Sequence, residues 1–300
     1  MPLRDQRRCR ILTAAGKFYE SDAIALRRQL AIAEGKYADE KTNGNLHGVI
    51  VPHGAYPFSL ELAMKTLLPA KQSGIRQVIL LGPSHRLRLR GISVPEYDVW
   101  RTPFGDLPEY AEGRELLLDM REKNIVKDLA AHENEHTLEV ELPLIHYLLG
   151  NVSVLPLVIG QMSGKEIREA GSLLAELDRP GTLWIVSSDF THYGECFQFT
   201  PFGTPCDPAK LASLDLAAAE LAAKRDLDGF IAYLGRTHAT ICGAFAICLY
   251  LAMLDAYETH VTGEVVDRCD TGRVTGDYDR IVDYVGIRFW ESPLKSPAIV

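Results

Sequence analysis

The side chains most capable of chemistry in this sequence follow short apolar runs that are typical of buried strands. They are His53 after Leu46–Pro52, His85 after Gln77–Gly82, and Asp189 and His192 after Thr182–Ser188. In open α/β sheets, ligands bind outside the carboxyl ends of the strands. If these three strands are parallel neighbours, the four side chains face one crevice. Imidazole and carboxylate groups in one crevice predict a metal site or an acid–base cluster.

A second pattern with metal chemistry is H-E-x-x-H, formed by His132, Glu133 and His136. On a helix, its two histidines would share one face, and Glu133 would act as the base of a zinc hydrolase. The extended motif has a glycine and a third histidine downstream, but Glu139 and Leu142 occupy those positions. The zinc hydrolase is therefore the weaker alternative. His136 remains a candidate for the crevice in either case.

Cys242 comes just before the apolar, helix-like stretch Ala244–Leu254. A thiol near a helix N-terminus has a lowered pKa and is a better nucleophile or metal ligand. A buried, inert cysteine fits the sequence equally well. The six cysteines form no CxxC pair and no small disulfide framework, which favours a reducing cytoplasm.

Composition excludes several classes of protein. The chain has 300 residues, of which 47% are hydrophobic and 24% charged, as in a soluble globular protein. Its net charge of −8 argues against nucleic acid and anionic membranes as partners. We find no signal peptide and no apolar run of about 18 residues that would cross a membrane. We therefore expect a cytoplasmic protein.

The elements that must position these side chains alternate between apolar runs and helix-like stretches. This alternation predicts a mostly parallel or mixed sheet covered by helices on both faces. We predict a single α/β/α domain over residues 1–300, with a helical lead-in over 1–45 and an α/β core over 46–290. The remaining predicted strands are Ser153–Gly160, His260–Cys269 and Ile281–Phe289. The predicted helices are Ser21–Ala38 with Ser21 as N-cap, Pro57–Leu68, Lys165–Leu177, Pro208–Ala223, Leu227–Leu234 and Ala239–Leu254.

Longer motifs surround the reactive residues and run through most of the chain. In chain order they are Ala15-Gly16-Lys17-Phe18-Tyr19, Pro52-His53-Gly54-Ala55-Tyr56, Gly82-Pro83-Ser84-His85, Arg101-Thr102-Pro103, Glu135-His136-Thr137-Leu138-Glu139, Ser187-Ser188-Asp189-Phe190-Thr191-His192 and Thr240-Ile241-Cys242-Gly243. Together they resemble the MEMO family, whose prokaryotic members are called AmmeMemoRadiSam system protein B. Two departures stand out. The family usually has P-H-A-G-Y at the second motif, and Ala244-Phe245 replaces a polar pair after the last, which makes the pocket wall more apolar.

The resemblance implies a fold like that of class III extradiol dioxygenases. It implies metal ligands at His53, His85 and Cys242, and it places Asp189, His192 and His136 beside them as catalytic candidates. Iron is the favoured metal, and copper or zinc are alternatives because a thiolate shifts preference toward softer metals. Asp189 is the alternative third ligand. The resemblance also implies two companion proteins, an AMMECR-type protein and a radical S-adenosylmethionine enzyme.

Three functions stay open at this point. The first is a metal-binding protein of MEMO type with redox or oxygenase activity on a small substrate. The second is an iron-dependent ring-cleaving dioxygenase, in which His192 is the acid–base group. The third is a non-enzymatic protein that binds a peptide or small ligand in the same cleft.

Overall fold

The computed structural model describes residues 7–38, 44–120, 122, 124–256 and 261–291. Its strands are β1 (Cys9–Arg10), β2 (Leu46–Val51), β3 (Gln77–Pro83), β4 (Ile92–Val94), β5 (Val99–Thr102), β6 (Gly105–Pro108), β7 (Ile125–Lys127), β8 (Ser153–Ile159), β9 (Thr182–Ser187), β10 (His192–Tyr193), β11 (Val261–Asp270) and β12 (Ile281–Glu291). Its α-helices are α1 (Ala23–Gly35), α2 (Tyr56–Leu67), α3 (Ala111–Asp119), α4 (Leu129–Glu133), α5 (His136–Glu139), α6 (Leu142–Leu149), α7 (Gly164–Ala175), α8 (Pro208–Ala223), α9 (Leu227–Thr237), α10 (Ala244–Ala256) and α11 (Gly272–Thr275).

The main sheet has nine strands in the order β10-β12-β2-β9-β3-β8-β4-β7, with β11 paired to β12. At its centre, β2, β9, β3 and β8 are mutually parallel. On one side of this group β12 is antiparallel to β2, and on the other side β4 is antiparallel to β8 but parallel to β7. The central strands are buried almost throughout because helices cover both faces. The predicted α/β fold with a mixed sheet is confirmed.

Alternating side chains of the central strands enter two different cores. Ile50 packs in the core that α7, α8 and α10 cover, whereas Val49 and Val51 pack in the core beneath α1, α2 and α6. Because both faces of the sheet are buried, the central strands are continuously apolar and do not alternate between apolar and polar residues. No helix in the described ranges is long and apolar enough to cross a membrane.

Several element boundaries differ from the prediction. Asp22, not Ser21, caps α1, because its carboxylate accepts hydrogen bonds from the Ile24 and Ala25 amides. The last predicted helix begins at Ala244 rather than Ala239, which leaves Cys242 in a loop. The sequence did not predict strands β1, β4, β5, β6 and β7, which are at most four residues long. Three of them, β1, β5 and β6, form a separate small sheet. His260 lies outside the described residues.

Candidate metal site

The three strands that precede the reactive residues lie side by side. β2 and β3 flank β9, and all three are parallel, so His53, Asp189 and His85 leave the same edge of the sheet. The first residue of α5, His136, reaches this edge from one side. Cys242 reaches it from the loop before α10. The topology therefore produces the crevice that the strand ends predict.

Three imidazoles form the centre of the site. The ring of His53 lies 5.4 Å from that of His85 and 5.7 Å from that of His136, measured between centroids. The rings of His85 and His136 are stacked at 5.2 Å. One ring nitrogen from each histidine lies within 4.8 Å of the other two. This spacing is suitable for three ligands of one metal ion.

Glu135 holds two of these rings from behind. Its Oε1 lies at hydrogen-bond distance, 3.4 Å, from His85 Nδ1, which leaves the other nitrogen of that ring for a metal. The same oxygen lies 3.3 Å from His136 Nδ1, a close contact in which Nδ1 makes no hydrogen bond. The backbone amide of His85 donates to Oε2 at 2.6 Å. Burial would raise the pKa of Glu135, but hydrogen bonds from His136 and His85 hold it well below its usual range. The residue is therefore a carboxylate that orients the histidines.

The buried ring of His53 is oriented by Ser187, whose hydroxyl lies 2.9 Å from Nδ1. Its Nε2 points into the site, 3.2 Å from Cys242 Sγ and 3.8 Å from Asp189 Oδ2. Burial and the neighbouring His85 and His136 lower the pKa of His53 well below its ordinary value. A neutral imidazole is the form that binds metals, so the donor set fits a metal ion.

Asp189 and Cys242 form a second group around His53, again with ligand atoms within 4.8 Å of one another. Asp189 Oδ1 accepts hydrogen bonds from the amides of His53 and Gly54 at 2.9 and 3.0 Å. The amide of Asp189 donates to Cys242 Sγ at 3.2 Å. A side chain at Gly243 would place its Cβ 2.4 Å from Ser188 Cβ, so glycine is required for this close approach.

Of the two interpretations that the sequence leaves open for Cys242, the structure favours the thiol without a lowered pKa. Burial, and then the charge of Asp189, raise the pKa of this thiol well above its usual value. The helix that was expected to lower it begins two residues later, at Ala244. Without a metal, Cys242 is therefore a neutral thiol.

The predicted ligands fall into two overlapping sets. His53 belongs to both, His85 groups with His136, and Cys242 groups with Asp189. The assignment of His53, His85 and Cys242 as the metal ligands stays a prediction. The structure adds His136 as a neighbour of His85 with equal access to the centre.

His192 lines a cavity of about 510 Å³, which His136 and Asp189 also line. Its Nδ1 is 3.2 Å from the carbonyl oxygen of Phe190 and its amide donates to Thr240 Oγ1 at 2.9 Å. The carbonyl fixes Nδ1 as the protonated nitrogen and leaves Nε2 to accept a proton. This arrangement is suitable for the predicted acid–base role.

The N-terminal lead-in supports the site, which the sequence analysis missed. Buried Glu139 accepts hydrogen bonds from the Ala14 amide and the Tyr19 hydroxyl, both at 2.8 Å, and pairs with Arg10 at 3.0 Å. Phe18 stacks on the His136 ring at 4.4 Å. The A-G-x-F-Y motif was the available signal, since it brings Phe18 and Tyr19 to these contacts.

The H-E-x-x-H pattern does not form the face that a zinc hydrolase requires. His132 lies in the last turn of α4, whereas His136 is the first residue of α5, so the two histidines are on separate helices. His132 is buried, and its Nε2 lies 3.1 Å from Ser93 Oγ. Among the described residues, neither group suited to a metal includes His132 or Glu133.

Acid is expected to weaken the fold through His132. Burial lowers the pKa of His132 to about 3, whereas the pKa of a histidine in an unfolded chain is about 6.5. The neutral ring therefore contributes fully to the free energy of unfolding above about pH 6.5. Below that pH the contribution falls by up to about 1.4 kcal/mol per pH unit. Urea unfolding of His132→Gln from about pH 7 to about pH 4.5 is expected to show a shallower loss than wild type. An equal slope in both proteins contradicts this assignment.

Fold and site together define an α/β protein with a candidate metal centre at the carboxyl ends of its parallel strands. The family described as Memo-like protein matches residues 10–288, and the chain belongs to this family. MEMO1 family proteins of Thermoplasma acidophilum and Methanopyrus kandleri are each 30% identical to it, over 280 and 292 residues. These matches cover 91% and 92% of this chain and 96% of each relative. The resemblance found in the motifs is confirmed.

Two further likenesses extend this result. Protein MEMO1 of Mus musculus is 28% identical over 253 residues, which are 81% of this chain and 83% of that protein. The crystal structure of an uncharacterized protein from Escherichia coli K12 superposes with a TM-score of 0.52 at 12% identity, over 81% of this chain and 99% of that one. The second likeness concerns the fold alone.

Proposed function

We propose that this protein binds one redox-active metal ion at the histidine cluster and oxidises a small molecule in the adjoining cavity, with molecular oxygen as the oxidant that is reduced. The observation that carries the proposal is the approach of the His53, His85 and His136 ligand atoms to within 4.8 Å of one another. His53 is the common ligand and His85 the second, and the third is His136, Cys242 or Asp189.

Iron is the preferred metal in this proposal, and copper is the redox-active alternative. Zinc also suits these ligands, but it has no redox chemistry and would support only the binding function. Imidazole and carboxylate ligands suit iron, and a protonated Cys242 thiol does not compete as a ligand until a metal displaces its proton. A metal ion held here would polarise an oxygen-containing substrate and supply electron-transfer chemistry. Glu135 and Ser187 keep the coordinating rings of His85, His136 and His53 in place.

The protein's own groups divide the remaining work. His192 lines the cavity and takes or returns a substrate proton at Nε2, while the Phe190 carbonyl holds Nδ1. Asp189 is held by the amides of His53 and Gly54, so it fixes the loop that carries His192. We assign acid–base catalysis to His192 and positioning to Asp189.

Oxygen uptake tests the proposed activity. Iron-loaded protein with a panel of catechols is expected to consume oxygen, and chelated protein is not. His192→Gln is expected to lower kcat by about 10²- to 10⁴-fold at unchanged metal content, because it removes the proton acceptor. Equal oxygen uptake by iron-loaded and chelated protein contradicts the enzymatic proposal. Chelator-insensitive capture of a peptide would favour the non-enzymatic binding function instead.

A further inference from the structure

The cavity beside the histidine cluster contains recognition groups that the metal site does not use. Its volume of about 510 Å³ falls within the range of small-molecule sites. Its lining includes His192 and Asp189, and the aromatic rings of Phe18 and Phe197 provide apolar surface. Arg280 lies in the lining as a cation. The cavity therefore combines flat apolar surface with one positive side chain.

Tyr284 provides an unused polar atom in this lining. The residue is only 2% exposed, yet its hydroxyl makes no hydrogen bond with any residue in the described part of the chain. The hydroxyl oxygen is not among the fully enclosed atoms without a partner, so it retains access to a ligand. Burial, followed by the charge of Asp189, raises the pKa of this phenol well above its usual range, so it remains a donor.

The sequence of the neighbouring loop makes room for this hydroxyl. A side chain at Gly54 would place its Cβ 2.5 Å from the Tyr284 hydroxyl oxygen. The order His53-Gly54-Ala55, which departs from the family pattern, thus keeps the phenol in place at the cavity wall. The departure and the unpartnered hydroxyl are parts of one local arrangement.

Arg280 is positioned in the cavity lining where it can bind an anion. Its guanidinium carbon lies 5.6 Å from the centre of the Phe197 ring, and that ring contacts His192 at 5.1 Å between centroids. Arg280 forms no ion pair with a carboxylate of the described residues. The nearby carboxylate of Asp277 instead accepts hydrogen bonds from the backbone amides of Asp279 and Arg280. The planar guanidinium is therefore available for bidentate contact.

We propose that this cavity binds a small monocarboxylic acid with a flat apolar body, through Arg280 at its acid end and the Tyr284 hydroxyl at its other end. The body of the ligand lies against Phe18 and Phe197. A single negative charge is preferred, because the carboxylates of Asp189 and Asp277 line the same cavity and repel a dianion. This binding does not require a metal and goes beyond the proposed function.

Calorimetric titration of chelated, metal-free protein tests the proposal with para-hydroxybenzoate as the probe. We expect a Kd of about 1 mM or tighter. Arg280→Gln is expected to weaken binding about tenfold, because the charged partner of the carboxylate is lost. Benzyl alcohol and phenyl phosphate are expected to bind more weakly than the probe. Tyr284→Phe is expected to weaken the binding of para-hydroxybenzoate. It is expected to leave the binding of benzoate unchanged, because benzoate lacks the distal hydroxyl.

Arg236→Gln is the matched control. Arg236 is exposed and lies 5.3 Å from the Tyr233 ring, which reproduces the cation–π contact of Arg280 away from this cavity. The affinity of the Arg236→Gln variant for para-hydroxybenzoate is expected to equal that of wild type. Equal losses in Arg280→Gln and Arg236→Gln, or tighter binding of phenyl phosphate or benzyl alcohol than of the probe, overturn the proposal. Because no metal is present, its failure is distinct from failure of the proposed metal site.

Discussion

Replacing Glu139 with alanine is expected to destabilise the protein by about 3–5 kcal/mol, because it leaves the buried Arg10 guanidinium without its carboxylate. Both side chains of this pair are at most 3% exposed. Glu139 also accepts hydrogen bonds from Thr13, Ala14 and Tyr19, all from the lead-in segment. Truncation therefore removes several buried acceptor contacts in one step.

Urea unfolding measures this loss, and an exposed ion pair provides the comparison. Arg101 and Asp106 pair at 2.9 Å with exposed side chains, so Asp106→Ala is expected to cost less than about 1 kcal/mol. Glu139→Gln is expected to fall between the two, because it keeps an acceptor but loses the charge. Similar costs for Glu139→Ala and Asp106→Ala contradict the supporting role of the lead-in.

The second large effect is expected at His53. Its ring belongs to both candidate ligand groups, so His53→Gln removes a ligand whichever set binds the metal. Wild type at a metal concentration of about 100 times its Kd gains about 2.7 kcal/mol of unfolding free energy. His53→Gln is expected to lose most of this gain, and urea unfolding with and without anaerobic Fe(II) measures it.

Three further variants define the ligand set. His146→Gln is the control, because His146 contacts Thr102 and lies in neither ligand group. It is expected to keep the full gain. Loss of the gain in His136→Gln but not in Cys242→Ser assigns His136 as the third ligand, and the reverse result assigns Cys242. A full gain in His53→Gln contradicts the metal site.

The strand ends were predictable because burial on both faces makes parallel central strands apolar throughout. Once β2, β9 and β3 are neighbours, the direction of the chain alone brings His53, Asp189 and His85 together. The motifs added the family, which composition and periodicity do not identify.

The support of the site was not predictable in the same way. Arg10 and Glu139 are separated by 129 positions, and only the three-dimensional fold shows that they pair. The fit between Gly54 and Tyr284 likewise depends on packing across the sheet. The sequence left the pKa of Cys242 undecided, because it gives proximity to a helix but not burial. The H-E-x-x-H pattern misled because a break at Asn134 separates its histidines.

Metal content measured by mass spectrometry tests the central claim most directly. Wild type and His53→Gln are purified anaerobically, loaded with Fe(II), passed through a desalting column and verified as folded by circular dichroism. We expect about one iron per wild-type chain and less than about one-tenth of that in the variant. Equal iron in the two proteins, or none in folded wild type, contradicts a metal centre at the histidine cluster.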